Sequence, residues 1–182
     1  MTRSTLAAAA FLCLSAWASA QQPADPRMVY PIIPNVGGVV PLPNAAEQPR
    51  KGAKVVFDIT ADAKPSDLNK GLERVARLLN LYGSAGLKAS DVKIALVMHG
   101  EATKSVLADS SYKVRFGAEK NPNVAVIGEL RKAGVEVFVC GQALASKGFE
   151  ASEVAEGIKV ASAALTVVIN RQADGYSYVP AH

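Results

Sequence analysis

Two residues capable of covalent or proton-transfer chemistry occupy matching places in the sequence. His99 and Gly100 follow the apolar run "IALVM", and Cys140 and Gly141 follow "VEVFV". Near-continuous apolar runs are typical of strands in a parallel sheet, and ligands bind such sheets at the carboxyl ends of the strands. If the two strands are neighbours, the imidazole and the thiol share one rim of the sheet.

Cys140 is the candidate nucleophile of this rim. A thiolate attacks sulfur and can carry it onward as a persulfide. Amide groups at a helix N-terminus and a nearby imidazolium both favour the thiolate, so His99 would hold the anion or relay a proton. A glycine after each residue would let a substrate approach the backbone. The other residues expected to border this pocket are Gly100, Glu101, Gly141 and Gln142.

Each of these residues also has an ordinary structural explanation. A cysteine at the end of an apolar strand is often a small, inert core residue. A histidine at a strand end is often only a hydrogen-bonding group. Glu101 could orient the imidazole, although capping its own helix is the preferred interpretation. Tyr176 and Tyr178 alternate near the C-terminus and are expected to pack against the sheet.

The cysteine count depends on a predicted export signal. Residues 1–20 have a positive charge, an apolar core over residues 6–17 and a small-residue cleavage site ending at Ala20. Cleavage there would remove Cys13 and leave Cys140 without an intramolecular disulfide partner. The sequence therefore predicts a periplasmic or secreted protein with one thiol, which is either buried and inert or exposed and reactive.

Composition excludes several classes of partner. The chain has 20 Lys and Arg against 16 Asp and Glu, evenly spread and with no basic block, so we expect no nucleic acid partner. The sequence has no second apolar segment long enough to span a membrane, so we expect no membrane span. One non-terminal histidine and one mature cysteine are too few to build a zinc site by themselves, so we expect no metal. The sequence has no glycine-rich nucleotide-binding motif, so we expect no cofactor.

The elements that must position His99 and Cys140 alternate along the chain. Residues 21–50 hold seven of the ten prolines and are interpreted as an extended leader to a domain over residues 51–182. Strands are predicted at 54–60, 91–100, 135–140, 158–161 and 176–179, and helical segments at 66–83, 101–108, 121–134 and from about 162 to 173. Such alternation predicts a three-layer α/β/α domain with a mainly parallel sheet of about five strands.

Four segments resemble the DsrE/DsrF-like family of small sulfur-relay proteins: "NKGLERVARLLNLYG", "IALVMHGEAT", "NPNVAVIGELRKAGVEVFVCGQAL" and "ALTVVINRQADGYSYV". The resemblance runs from about Lys54 to Val179. It implies a compact α/β domain with a parallel five-stranded core, assembled into homo- or hetero-oligomers such as trimers and hexamers, and we expect a homo-oligomer here. It also implies that a strand-end cysteine carries persulfide sulfur. Cys140 matches that cysteine, and His99 matches a strand exit that borders the same pocket.

Three hypotheses follow for function. The first is an exported, oligomeric protein that accepts sulfane sulfur on Cys140 and exchanges it with a donor or acceptor protein or a small sulfur compound. Whether this amounts to sulfurtransferase-like enzyme activity stays open. The second is a non-enzymatic oligomeric binding module with an inert, buried cysteine. The third is a thiol redox sensor that forms a Cys140–Cys140 disulfide between subunits.

Overall fold

The computed structural model describes residues 27–181. The predicted signal peptide, its cleavage site after Ala20, and Cys13 lie outside the described residues. Within residues 27–181, none of the helices has the length and apolar character needed to cross a membrane.

Five strands form one sheet in which every pairing is parallel. Their spatial order is β4-β3-β2-β1-β5. The strands are β1 (Ala53–Ile59), β2 (Val92–Met98), β3 (Glu136–Cys140), β4 (Lys159–Ala161) and β5 (Ser177–Ala181). The predicted α/β fold with a parallel five-stranded sheet is confirmed, including the strand, helix and strand predicted over residues 158–179.

In the described part of the chain, five α-helices lie between these strands: α1 (Lys70–Ser84), α2 (Asp109–Phe116), α3 (Pro122–Lys132), α4 (Gly141–Ser146) and α5 (Ala164–Ala173). Helix α1 begins later than the sequence pattern predicts. Asn69 caps it by accepting a hydrogen bond from the Gly71 amide, and the Asn69 side-chain amide donates to Ala61 O. This anchored, buried asparagine is therefore the N-cap of α1.

Alternate side chains of the central strand enter two separate apolar clusters. Leu96 and Met98 pack in the large core on the side of α1 and α3, whereas Val97 packs in a small cluster with α5 residues. This alternation places α5 on the opposite face of the sheet from α1 and α3. Helix α5 therefore crosses the face that also carries the side chain of Cys140.

The described part of the proline-rich segment, residues 27–50, packs on α1 through one buried asparagine. The Asn80 carboxamide accepts from the amides of Ile32 and Ile33, and it donates to the carbonyls of Ile33, Val36 and Gly37. A side chain at Gly37 would collide with the α1 backbone. The segment thus contributes core contacts, with Ile33 fully buried.

Candidate functional site

The strand register places His99 and Cys140 at the same level of the sheet. Met98 and Val139 are the last paired residues of β2 and β3, and His99 and Cys140 come directly after them. By alternation both lie on the face that α5 covers. The sequence prediction of one shared rim therefore matches the backbone, although the two side chains have different partners.

Cys140 is a free, buried cysteine. It is 6% exposed and lies in an apolar cluster with Val97, Ala164 and Val167. Its Sγ accepts a hydrogen bond from the Ala143 amide at 3.4 Å, at the point where β3 passes into α4. The sulfur thus has one amide donor, while its aliphatic neighbours restrict access to it.

His99 turns toward β1, away from β3. Its Nε2 lies 2.7 Å from Oδ1 of Asp58, and the hydroxyl of Tyr178 on β5 donates to Oδ2 of the same carboxylate over 2.8 Å. Among the described residues, no hydrogen bond joins His99 to Cys140. The imidazole therefore belongs to a three-residue array on β1, β2 and β5, and it does not hold the thiol directly in this conformation.

The electrostatics of this array are set by the Asp58 carboxylate. Its side chain is 15% exposed, and that of His99 is 31% exposed. The hydrogen bond that Tyr178 gives to Asp58 raises the pKa of the phenol, because the neutral hydroxyl is the donor; partial burial and the carboxylate charge act in the same direction. Tyr178 consequently keeps its proton and remains a donor through the neutral pH range.

A cavity of about 310 Å³ lies between this array and α5. Its lining residues are Asp58, His99, Ala164, Leu165, Val168, Gln172 and Tyr178. Ala164 and Val168 also pack against the cluster that contains Cys140. The cavity and the thiol thus share one wall, formed by the first turns of α5.

Gly100 and Gly141, the two glycines of the predicted pocket, are each required by the local structure for a different reason. Gly100 has a φ of +57°, a left-handed conformation that favours glycine at the turn after His99. A Cβ at Gly141 would lie 2.8 Å from the carbonyl oxygen of Ala161, so the space is filled by β4. Gly141 is therefore closed on the side where a side chain would lie, and the approach of a substrate to its backbone stays a prediction.

The two polar residues of the predicted pocket face neighbouring segments. The Glu101 carboxylate forms an ion pair with the Lys147 ammonium at 2.7 Å. It therefore does not orient the imidazole, and it has a partner outside its own helix. The Gln142 side chain donates to Ser162 O over 3.3 Å, across to the loop before α5. Neither residue lines the cavity beside His99.

Sequence reasoning missed Asp58 and misinterpreted Tyr178. Asp58 is the one charged residue inside the otherwise apolar run "VVFDI", and an acidic residue near the end of an apolar strand is the signal that could have indicated it. Tyr178 was expected to be a packing residue, but its hydroxyl binds a carboxylate 120 positions away in the sequence. The described residues contain no group of three or more histidine, cysteine, aspartate or glutamate side chains that could hold a metal ion.

Comparison with known proteins agrees with this architecture. A solved protein of unknown function from Methanobacterium thermoautotrophicum, MTH1491, is similar with a TM-score of 0.54 and 23% identity, covering 70% of this chain and 98% of that one. At this identity the similarity shows the fold alone. A comparison with curated proteins finds no significant match. The model of the DsrE/DsrF-like family matches residues 54–180. Since this match covers well over half of the sequence, the chain belongs to the DsrE/DsrF-like family.

Proposed function

We propose that this protein accepts sulfane sulfur on Cys140 and passes it on as a persulfide. The observation that carries the proposal is a free thiol at the carboxyl end of β3. Its Sγ accepts a hydrogen bond from the Ala143 amide. This is the position at which family resemblance expects a sulfur-carrying cysteine. An amide donor stabilises the anionic sulfur of either a thiolate or a persulfide.

The burial of Cys140 adds a conformational step to this function. At 6% exposure the sulfur is not open to a bulky donor. Ala164 and Val167 of α5 cover it from one side. Because α5 is a short helix that rests on the sheet beside a cavity, displacement of its first turns would expose the sulfur without unfolding the main core. Loading of Cys140 would then proceed through this local opening.

Intact-mass measurement after incubation with inorganic polysulfide tests the proposal. The wild-type chain should gain ~32 Da for each bound sulfur atom, and dithiothreitol should remove the gain. The matched control is Cys140→Ser, which keeps a small polar atom at this position and cannot form a persulfide. No gain on the wild type, or the same gain on Cys140→Ser, would defeat the proposal.

The burial of the thiol also supports a second candidate function, a non-enzymatic binding module in which Cys140 is inert. In that case native Cys140 should resist iodoacetamide as strongly as it resists polysulfide, and it should react only after denaturation. A redox sensor would instead give a Cys140–Cys140 dimer on a non-reducing gel after peroxide treatment. The three functions therefore predict three different outcomes for the same thiol: a persulfide, no reaction in the native protein, or a disulfide between subunits.

Assembly into a homo-oligomer belongs to the same proposal. The outer face of α5 carries Leu165 and Ile169, which are 67% and 54% exposed, and Tyr178 is exposed on the same side of the sheet. Apolar surface of this kind is typical of protein interfaces. Light scattering should give a trimer or hexamer mass, and replacing Leu165 and Ile169 by glutamate should give a monomer. A wild-type monomer at micromolar concentration would oppose this assembly.

Export is the final element of the proposal. It is supported by the sequence pattern of residues 1–20, and it places the thiol in the periplasm or outside the cell, where its sulfur donor must also occur. Edman sequencing of the protein recovered from that compartment should begin at Gln21. A chain that retains Met1 and Cys13 would contradict export by cleavage.

A further inference from the structure

The hydrogen bonds of His99 determine which ring nitrogen can meet a ligand. An ionised carboxylate only accepts hydrogen bonds, so Nε2 carries the hydrogen that Asp58 receives. The neutral imidazole then has its lone pair on Nδ1. Within residues 27–181, Nδ1 has no hydrogen-bond partner, and His99 lines the cavity beside α5. The array thus offers a proton acceptor to whatever occupies the cavity.

The charge and size of the cavity restrict the occupant. Among the described residues that line the cavity, Asp58 is the only acidic or basic side chain besides His99, so an anionic ligand would be repelled. Three of the other walls are aliphatic, formed by Ala164, Leu165 and Val168. The volume of about 310 Å³ corresponds to roughly ten water molecules. These features fit a small, neutral molecule that has a hydrogen-bond donor on a short apolar body.

We infer that the cavity binds a small neutral thiol that receives sulfur from Cys140, an inference that rests on the sulfur-carrying function proposed above. His99 Nδ1 accepts the proton of the bound thiol. The bound small thiol lies on one side of the wall formed by Ala164 and Val168, and the side chain of Cys140 lies on the other side. The same displacement of α5 that exposes Cys140 removes this wall and brings the two sulfur atoms together.

The transfer step is balanced without an oxidant or a reductant. The bound thiol gives its proton to His99, and its thiolate attacks the outer sulfur of the Cys140 persulfide. The bond between the two persulfide sulfurs breaks, and a new sulfur–sulfur bond forms in the small-molecule persulfide. The electron pair of the broken bond stays on Cys140 as a thiolate, and the proton returns to it from His99 through solvent.

The remaining members of the array act through His99. Asp58 accepts the hydrogen bond from His99 Nε2–H and so fixes the tautomer of the imidazole. Tyr178 donates to the other oxygen of the Asp58 carboxylate and so fixes its orientation. These are positioning residues, because neither contacts the reacting sulfur. Their loss should therefore lower the maximal rate of sulfur transfer from Cys140 to the bound thiol.

Discharge kinetics test the cavity. Protein loaded with polysulfide and freed of excess reagent is mixed with increasing 2-mercaptoethanol, and the loss of ~32 Da is followed by mass spectrometry. The rate should saturate in roughly the millimolar range, because a ligand this small supplies little binding free energy. Glutathione, which is larger and anionic, should discharge Cys140 at least about tenfold more slowly at equal concentration.

Two variants separate binding from proton transfer. Val168→Phe fills the cavity and should raise the half-saturating thiol concentration about tenfold or more. Val114→Phe is the matched control, since it makes the same change at a site that is 86% exposed on α2. His99→Gln keeps a side chain that can bind Asp58 but has no basic nitrogen, so it should lower the maximal rate about 100-fold with little change in half-saturation. Linear, unsaturated discharge that is equal in all variants would overturn the inference.

A binding measurement keeps this inference separate from the proposed function. In Cys140→Ser protein, which cannot carry sulfur, the ring signals of His99 are followed by NMR and assigned with His99→Gln. They should shift saturably with 2-mercaptoethanol and much less with 2-(methylthio)ethanol, which has no S–H donor. If the wild type never gains sulfur, the proposed function fails, and these titrations still decide the cavity: equal or absent shifts refute it.

Discussion

Replacement of Val167 by alanine should accelerate the reaction of native Cys140 with iodoacetamide. Val167 is buried in the cluster that covers the thiol from α5. The substitution removes two methyl groups, which contribute about 0.8 kcal/mol each through burial, and it leaves a small cavity. The packing between α5 and the sheet should therefore weaken by about 2 kcal/mol.

This free energy converts directly into a labelling rate. If labelling is slow compared with closing, the rate follows the population of the open state. A loss of about 2 kcal/mol raises that population roughly 30-fold, provided that opening breaks the contacts of Val167. The assay measures the mass of the native protein against time in iodoacetamide at neutral pH.

Two controls show whether the opening is local. Val114→Ala makes the same chemical change where the side chain is 86% exposed, and its labelling rate should stay within about twofold of wild type. Leu130→Ala creates a cavity in the separate core on the α3 side and lowers global stability by about 3 kcal/mol. It should leave labelling nearly unchanged. If Val167→Ala labels like wild type, or Leu130→Ala is equally fast, the reasoning about α5 is refuted.

Three further predictions concern the scaffold. Asn80→Ala removes five hydrogen bonds to the backbone of residues 32–37 and should lower the unfolding free energy in urea by about 2–4 kcal/mol; a loss below about 0.5 kcal/mol would contradict its role. Gly141→Ala should destabilise by about 1–3 kcal/mol because its Cβ would press on β4, whereas Gly128→Ala in α3, where a Cβ meets nothing, should stabilise slightly; equal effects would refute the packing argument. Arg115 lowers the pKa of Glu153 to about 2, so this ion pair stabilises the fold above pH 4.5 and its contribution is lost as the pH falls toward 2. The stability difference between wild type and Glu153→Gln should therefore shrink over that window, and a constant difference would contradict it.

The sequence allowed the sheet and the rim that holds His99 and Cys140 to be predicted, because the positions of these strand ends depend on local patterns. Apolar runs that end in His99 and Cys140 are visible over a few residues, and parallel strands bring their carboxyl ends together. The partners of these residues were not predictable in the same way. Tyr178 reaches Asp58 only because β5 pairs with β1, and Asn80 binds residues 32–37 only because that segment lies on α1. Such contacts depend on strand order and packing, which no local pattern encodes.

Burial of the thiol was the other feature beyond the reach of sequence. A cysteine after an apolar strand is compatible with both an inert and a reactive group, and the choice depends on which helix covers that face. Helix α5 covers it here, and its first turns separate Cys140 from the cavity beside His99. The proposed function therefore depends on movement of α5 as much as on the chemistry of the sulfur.

The most direct test of the account is to locate the sulfur within the polysulfide-treated native protein. After alkylation and proteolysis, the peptide that contains Cys140 should carry an extra ~32 Da between the cysteine sulfur and the alkyl group. Its abundance should rise in Val167→Ala at early times and fall on addition of 2-mercaptoethanol. A Cys140 peptide that appears only in the unmodified or directly alkylated form, under conditions that label the denatured chain fully, would contradict the account.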